Sequence, residues 1–91
     1  MTAPRADDVR RVVLAHVAEG LRAKGLSHAE LPDDFDLLLE GVVDSFGLLE
    51  LIMAVEGSFG VHLDFENLDA DDMTRLGPFC RYVEAETEKA A

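Results

Sequence analysis

Few side chains in this chain could do covalent chemistry. Ser45 follows Asp44 and precedes the most apolar run of the sequence, Phe46-Gly47-Leu48-Leu49-Glu50-Leu51-Ile52. Cys80 is the one thiol, and His16, His28 and His62 are the three imidazoles. A nucleophilic serine needs a base within hydrogen-bond reach and a third group to orient that base. The histidines stand in no recognisable partner pattern, and the Gly-x-Ser-x-Gly elbow is absent. A serine hydrolase is therefore the weakest reading. Cys80 shares an apolar stripe with Leu76, Phe79 and Val83, which reads as a buried, inert thiol. A single cysteine also leaves no disulfide within the chain and no cysteine-based zinc site. Asp69-Ala70-Asp71 opens like a calcium loop, but Arg75 and Cys80 interrupt the glycine-to-glutamate pattern that such a loop continues with. No catalytic residue and no metal-ligand set is assigned.

Ser45 makes better sense as an acceptor of a group supplied by another enzyme. Such a serine must be exposed, rigidly held and flanked by a recognisable surface. The competing role is structural, because aspartate and serine are both favoured helix caps and the second helix starts at Asp44 or Ser45. If Asp44 is the cap, the Ser45 hydroxyl is left for modification. Two apolar stripes follow at helical spacing. Leu48, Leu51, Ile52, Val55 and Phe59 suit a core, whereas Phe46, Leu49 and Met53 are rotated away from it and are edged by Glu50 and Glu56. A helix apolar on two faces is either wholly buried or meets a partner, and the glutamates speak against whole burial. Met53 by itself fits either face.

The elements that must hold this stretch can be read from the same periodicities. Val9, Val12, Val13, Val17 and Leu21 mark one face of a first helix from about residue 7 to residue 24, with Asp7 and Asp8 in its first turn and Gly25 as its stop. Residues 25–44 form a long connection, with a short turn over Ser27 to Leu31 and turn chemistry at Pro32-Asp33-Asp34. Leu37, Leu38 and Leu39 are too apolar for a solvated loop, so the connection is expected to lie down on the core. The second helix runs to about Ser58, and Gly57 and Gly60 bracket its end. Val61 and Leu63 alternate with His62 and Asp64 in a short extended segment, with no second strand to pair with. Asp69 reads as the cap of a short third helix to about Met73. A last helix starts at Thr74 or Arg75, tolerates Pro78 near its beginning, and passes into a charged, fraying tail from Glu84. The fold class is all-α: a small four-helix bundle of three longer helices, a short third one and a long first loop, in a single domain over residues 1–91 with about 7–87 folded.

Charge narrows the partners. Nineteen acids against eight Lys and Arg give a net charge of −11, which repels nucleic acid and anionic membranes and favours proteins with basic faces. No apolar run is long enough to span a bilayer, and the N-terminus has no apolar core for a signal peptide, so a cytoplasmic monomer without membrane insertion is expected. An apolar fraction of 48% supports a packed core despite the charge.

The stretch Asp36-Leu37-Leu38-Leu39-Glu40-Gly41-Val42-Val43-Asp44-Ser45-Phe46-Gly47-Leu48-Leu49-Glu50-Leu51 resembles the phosphopantetheine attachment region of acyl and peptidyl carrier proteins. Phe59-Gly60-Val61-His62-Leu63, and Leu68 to Met73 followed by Leu76, resemble the family's later elements, so the likeness covers roughly residues 7–87. It implies a carrier, not itself an enzyme, with 4′-phosphopantetheine on Ser45, Asp44 as the serine's partner, and acyl or aminoacyl groups held as thioesters. It also implies that Phe46, Leu49 and Met53 face visiting enzymes, with Glu50 and Glu56 pairing with their basic surfaces. Those enzymes would be a phosphopantetheinyl transferase, an acyl- or aminoacyl-loading ligase, and downstream acyl-transferring enzymes. Val-Val-Asp-Ser-Phe-Gly is similar to stand-alone carriers of the D-alanyl type and to discrete carriers of natural-product pathways. Gly47 departs from the polar residue frequent near that position, and glycine costs a helix about 1 kcal/mol. The alternative is an acidic helical interaction module with no prosthetic group.

Overall fold

The computed structural model describes residues 4–27, 31–63 and 70–90. These residues form helices and loops without a strand; the one ladder-like contact is an isolated antiparallel bridge between Asp36 and Arg75. The all-α reading therefore holds for the described residues. The helices are α1 (Ala6–His16), α2 (Ala18–Ala23), α3 (Ser45–Phe59), α4 (Ala70–Thr74) and α5 (Leu76–Ala90). The proposed Asp69 cap and Asp64 lie outside the described residues, as do His28 and most of the Ser27–Leu31 turn.

The expected single helix over residues 7–24 is two helices. Val17, at φ −100° and ψ 11°, interrupts it, although its N–H still donates to Val13 and its carbonyl still accepts from Leu21. The bend falls one turn before Gly20, which lies so close to the Val42 carbonyl that a Cβ there has no room. The predicted stop is found at Gly25. It adopts φ 71°, donates to the Arg22 carbonyl, and lets Leu26 N–H reach back to Leu21 O, which satisfies the last carbonyls of α2.

Val9, Val13, Leu14, Val17 and Leu21 from α1 and α2 join Leu51, Ile52 and Val55 of α3 and Leu76, Phe79, Cys80 and Val83 of α5 in one core. Helix α1 packs against both α5 and α3. Leu48 and Phe59, expected in the core, pack against its edge and are only partly buried. The charged tail foreseen from Glu84 is instead helix up to Ala90. Glu84 accepts the Ala6 N–H at 2.8 Å, Thr87 is buried, and its hydroxyl donates to the Glu84 carbonyl. This stretch thus ties the first turn of α1 to α5.

The long connection is held by two aspartates. Asp36 Oδ1 accepts the N–H groups of Leu38 and Leu39 at 3.1 and 2.9 Å, and its Oδ2 accepts the Thr74 hydroxyl at 2.9 Å. Beside it, Leu37 N–H donates to Thr74 O, and Leu76 N–H donates to Phe35 O. Asp33 accepts from Arg81 at 2.7 Å and has Arg10 at 3.8 Å, while its carbonyl receives Gly77 N–H. Its carboxylate occupies the space a Gly77 side chain would need, so the glycine there is steric. Of the three leucines expected to bury this loop, only Leu37 does so; Leu39 is 82% exposed.

Burial alone pushes the Asp36 carboxyl up, but the bonds from Leu39, Thr74 and Leu38 and the charge of Arg75 outweigh it and hold the group below its ordinary value. A carboxylate whose folded value lies below its unfolded one stabilises the fold fully above the unfolded value, near 3.8. That stabilisation is lost as pH falls through the lower, folded value. Asp36→Asn should cost about 1–2 kcal/mol at neutral pH, a drop of roughly 5–15 °C in melting temperature. Thermal melts across pH check this: the gap from wild type should narrow in acid below the unfolded value. A gap that stays constant would contradict it.

Candidate functional site

The fastened loop leads directly into the start of α3. Leu37 O accepts the N–H groups of both Val42 and Val43, at 2.9 and 3.1 Å, and Gly41 turns the chain between them at φ 76°. Val42 is buried and Val43 packs against the core, so Asp44 emerges at a fixed point. Asp44 has an extended backbone at φ −95° and ψ −177° and caps α3: its Oδ1 accepts Gly47 N–H at 2.6 Å and its carbonyl accepts Leu48 N–H at 2.8 Å. The cap is therefore Asp44, and Ser45 is the first residue of the helix.

Ser45 is exposed, and none of the described residues holds its hydroxyl. Neither His16 nor His62 bonds to it; His62 sits at the far end of α3 against Glu56. The thiol of Cys80 is buried in the core, and burial pushes it up to about 12 with Arg10 offsetting only part of the effect, so it is no nucleophile at neutral pH. The arrangement around Ser45 has no base–orienter pair among the described residues.

Gly47, which had no account from the sequence, acquires one here. Its N–H donates to the capping carboxylate, and a Cβ on the same residue would lie 3.2 Å from that Oδ1 and 3.4 Å from Val43 Cβ. A side chain there crowds the cap, so the glycine lets Asp44 close tightly.

Phe46, Leu49 and Met53 are 68%, 52% and 60% exposed, so Met53 is not core. They share one side of α3 with exposed Glu50, while Leu51, Ile52 and Val55 are buried on the other. Exposed Leu39 on the loop before the helix adds apolar surface that sequence reasoning had assigned to the core. Glu56 departs from its expected place among the docking residues. Its Oε2 accepts Leu63 N–H at 2.9 Å and lies 3.3 Å from His62 Nδ1, so it fastens the chain after α3, where Gly60 ends the helix at φ 65°.

The residues that sequence reasoning missed are Asp36 and Thr74, which set the loop, and Asp33 with Gly77, which seats it on α5. Asp36 has a local signal, since an aspartate followed by two residues whose N–H groups can fold back on it forms an Asx-type turn. Thr74 is 38 positions away from Asp36 and gives no such signal.

Comparison with known proteins gives a partial likeness. Over 39 residues the chain is 38% identical to a D-alanyl carrier protein of Bacillus velezensis; the match covers 43% of this chain and 50% of that protein. The chain thus spans about half the length of that relative. No family model matches, and no solved structure does. The likeness supports a place for this chain near the carrier proteins.

Two substitutions separate cap from surface. Asp44→Ala should lose about 1 kcal/mol, measured by urea unfolding, because the first-turn N–H of Gly47 loses its acceptor. Met53→Glu should leave helicity and stability within about 0.5 kcal/mol of wild type, as for an exposed side chain. Unfolding by Met53→Glu would mean that this face is packed.

Proposed function

We propose that the chain is a carrier protein whose Ser45 receives 4′-phosphopantetheine and whose α3 face docks the enzymes that load and unload it. The observation that carries this reading is the combination at one helix start: a capped, rigid, exposed serine one residue from an exposed apolar face. The partial likeness to a D-alanyl carrier protein agrees with it.

The residues present fit the group. A phosphodiester on Ser45 Oγ would stand at the N-terminal end of a fifteen-residue helix, where first-turn N–H groups have no carbonyl one turn earlier and the helix dipole favours an anion. In the modification, the serine oxygen forms a bond to the phosphorus of coenzyme A's pantetheine phosphate as the pyrophosphate P–O bond breaks. Adenosine 3′,5′-bisphosphate leaves, and the serine proton passes to a base on the transferase. Bound, the group supplies a thiol that holds acyl or aminoacyl cargo as a thioester.

What this chain's own residues contribute is placement. Asp44 fixes the serine, and Leu37 fixes the turn before Asp44. Phe46, Leu49 and Met53 offer apolar surface, and fully burying a side chain of that size is worth roughly 1.5–3 kcal/mol, less here because each is already partly covered. Glu50 and the net charge of −11 would steer basic faces of a transferase, a loading ligase and downstream acyl-transferring enzymes, raising association rates more than affinity. Tethering gives a partner's active site cargo at high effective concentration. The pathway this suits is of the D-alanyl-transfer or natural-product type, and the protein would work in the cytoplasm as a monomer.

Intact mass after incubation with coenzyme A and a phosphopantetheinyl transferase tests the reading. Wild type should gain one phosphopantetheine, and Ser45→Ala should gain none. No gain with several transferases would favour an acidic interaction module that uses the same α3 face. A gain that survives Ser45→Ala would move the site elsewhere.

A further inference from the structure

The glycine at position 57 has no structural reason among the described residues. Gly25, Gly41 and Gly60 take positive φ, and a Cβ at Gly20, Gly47 or Gly77 would crowd a neighbour. Gly57 is inside α3, is exposed, and has no described atom within 4 Å of where a Cβ would stand. Nor does it end the helix, because Gly60 does so with its left-handed turn. Glycine is the least favourable residue after proline inside a helix, since it loses the most backbone freedom on folding. Alanine would fit at this position and hold the helix better, so the chain forgoes stability there.

The register of α3 says what the bare position faces. Successive residues of a helix are about 100° apart. Gly57 therefore stands one turn beyond Met53 and about 40° round from it, while Phe46 and Glu50 fall about 20° and 60° round on the same side. The exposed face of α3 runs through Phe46, Leu49, Glu50 and Met53 and ends in backbone without a side chain. From Ser45 to Gly57 it extends about 18 Å. The helix has Glu50 and Glu56 and no cation. Glu56 is engaged by Leu63 N–H and His62, which leaves the exposed Glu50 as the charge on this face.

We infer that Gly57 is the point of closest approach for the enzyme that modifies Ser45, whose basic docking segment passes over the bared backbone of α3 there. The inference rests on the carrier reading. An interface of ordinary size takes about 800 Å² from each partner, a patch roughly 30 Å across. Centred on Leu49 and Met53, such a patch takes in both Ser45 and Gly57. Glu50 and the net charge of −11 select a basic segment, and they disfavour a second copy of this chain, which would bring the same charges to the contact. Gly57 acts by admission: a side chain there holds the segment off the helix and loosens the contacts at Met53 and Glu50.

The test is steady-state transfer of phosphopantetheine from coenzyme A, by a transferase that modifies the wild type, to Gly57→Ala, Gly57→Leu and Ser58→Leu. Ser58 is exposed as well but lies about 100° further round the helix. Gly57→Ala should melt about 2–8 °C above wild type. Even so, its KM as the protein substrate should rise severalfold, and that of Gly57→Leu about tenfold, with kcat within about twofold of wild type. Ser58→Leu should keep the wild-type KM. A wild-type KM in both Gly57 variants overturns the inference and leaves the carrier reading intact. An equal rise in Ser58→Leu does the same, because added bulk anywhere near the end of α3 would then suffice. So does a Gly57→Ala protein that melts below wild type, since the glycine would then serve the fold. A wild type that no transferase modifies overturns the carrier reading and this inference together.

Discussion

The placement of Ser45 depends on one carboxylate, that of Asp36. Its two oxygens collect Leu38 N–H, Leu39 N–H and the Thr74 hydroxyl, while the next residue, Leu37, donates to Thr74 O and accepts from Val42 and Val43. A loop between two helices carries many polar backbone groups that must find partners if it is to lie on a core. Asp36 and Leu37 meet that demand at one point and join the α4–α5 junction to the residues just before Asp44. The serine's position is thus set by a short chain of hydrogen bonds running from Thr74 through Leu37 to Val43. The loop's own apolar content contributes less, since only Leu37 of its three leucines is buried.

Helix α3 then divides its apolar residues by rotation. Leu51, Ile52 and Val55 close against α1 and the rest of the core, and Phe46, Leu49 and Met53 stay in solvent. A small chain gains stability by burying what it can, and three large apolar side chains of one helix left exposed on one side form the patch on which the carrier reading rests its docking face. On the carrier reading, a net charge of −11 would favour basic partner surfaces over like-charged ones. Asp33 serves the opposite purpose within the fold. Two of the few cations, Arg10 of α1 and Arg81 of α5, converge on it and hold the loop against both helices, with the Arg81 guanidinium raised above its ordinary value by its hydrogen bond to that carboxylate.

What was legible in the sequence follows the range of the interactions. Local periodicity found the faces of α1, α3 and α5, and capping chemistry found Asp44, Gly25 and Gly60, since each depends on residues within one or two turns. The break at Val17 was hidden because a run of valines at helical spacing looks the same whether or not one of them bends, and the close approach of Gly20 to Val42 is tertiary. Glu56 looked like a surface charge beside an apolar stripe; only the returning backbone at Leu63 gives it another task. The tail from Glu84 looked frayed by composition, yet Glu84 finds the unpaired first-turn N–H of Ala6 across 78 positions. The capped start of α3 and the exposure of its second apolar stripe were readable, and the fastening of the loop before it was not, because that fastening is to α4 and α5.

On the carrier reading, the Asp36–Leu37 fastening presents Ser45 for modification. The most direct measurement is the initial rate of phosphopantetheine transfer to Asp36→Asn and to wild type, at a temperature where circular dichroism shows both fully folded. The variant should be modified several-fold more slowly, roughly the factor of 5–30 that one or two kcal/mol of lost positioning gives, with α3 amide signals otherwise in place. Equal rates for the two folded proteins would contradict it, leaving Asp36 a stabiliser of the fold with no part in presenting the serine.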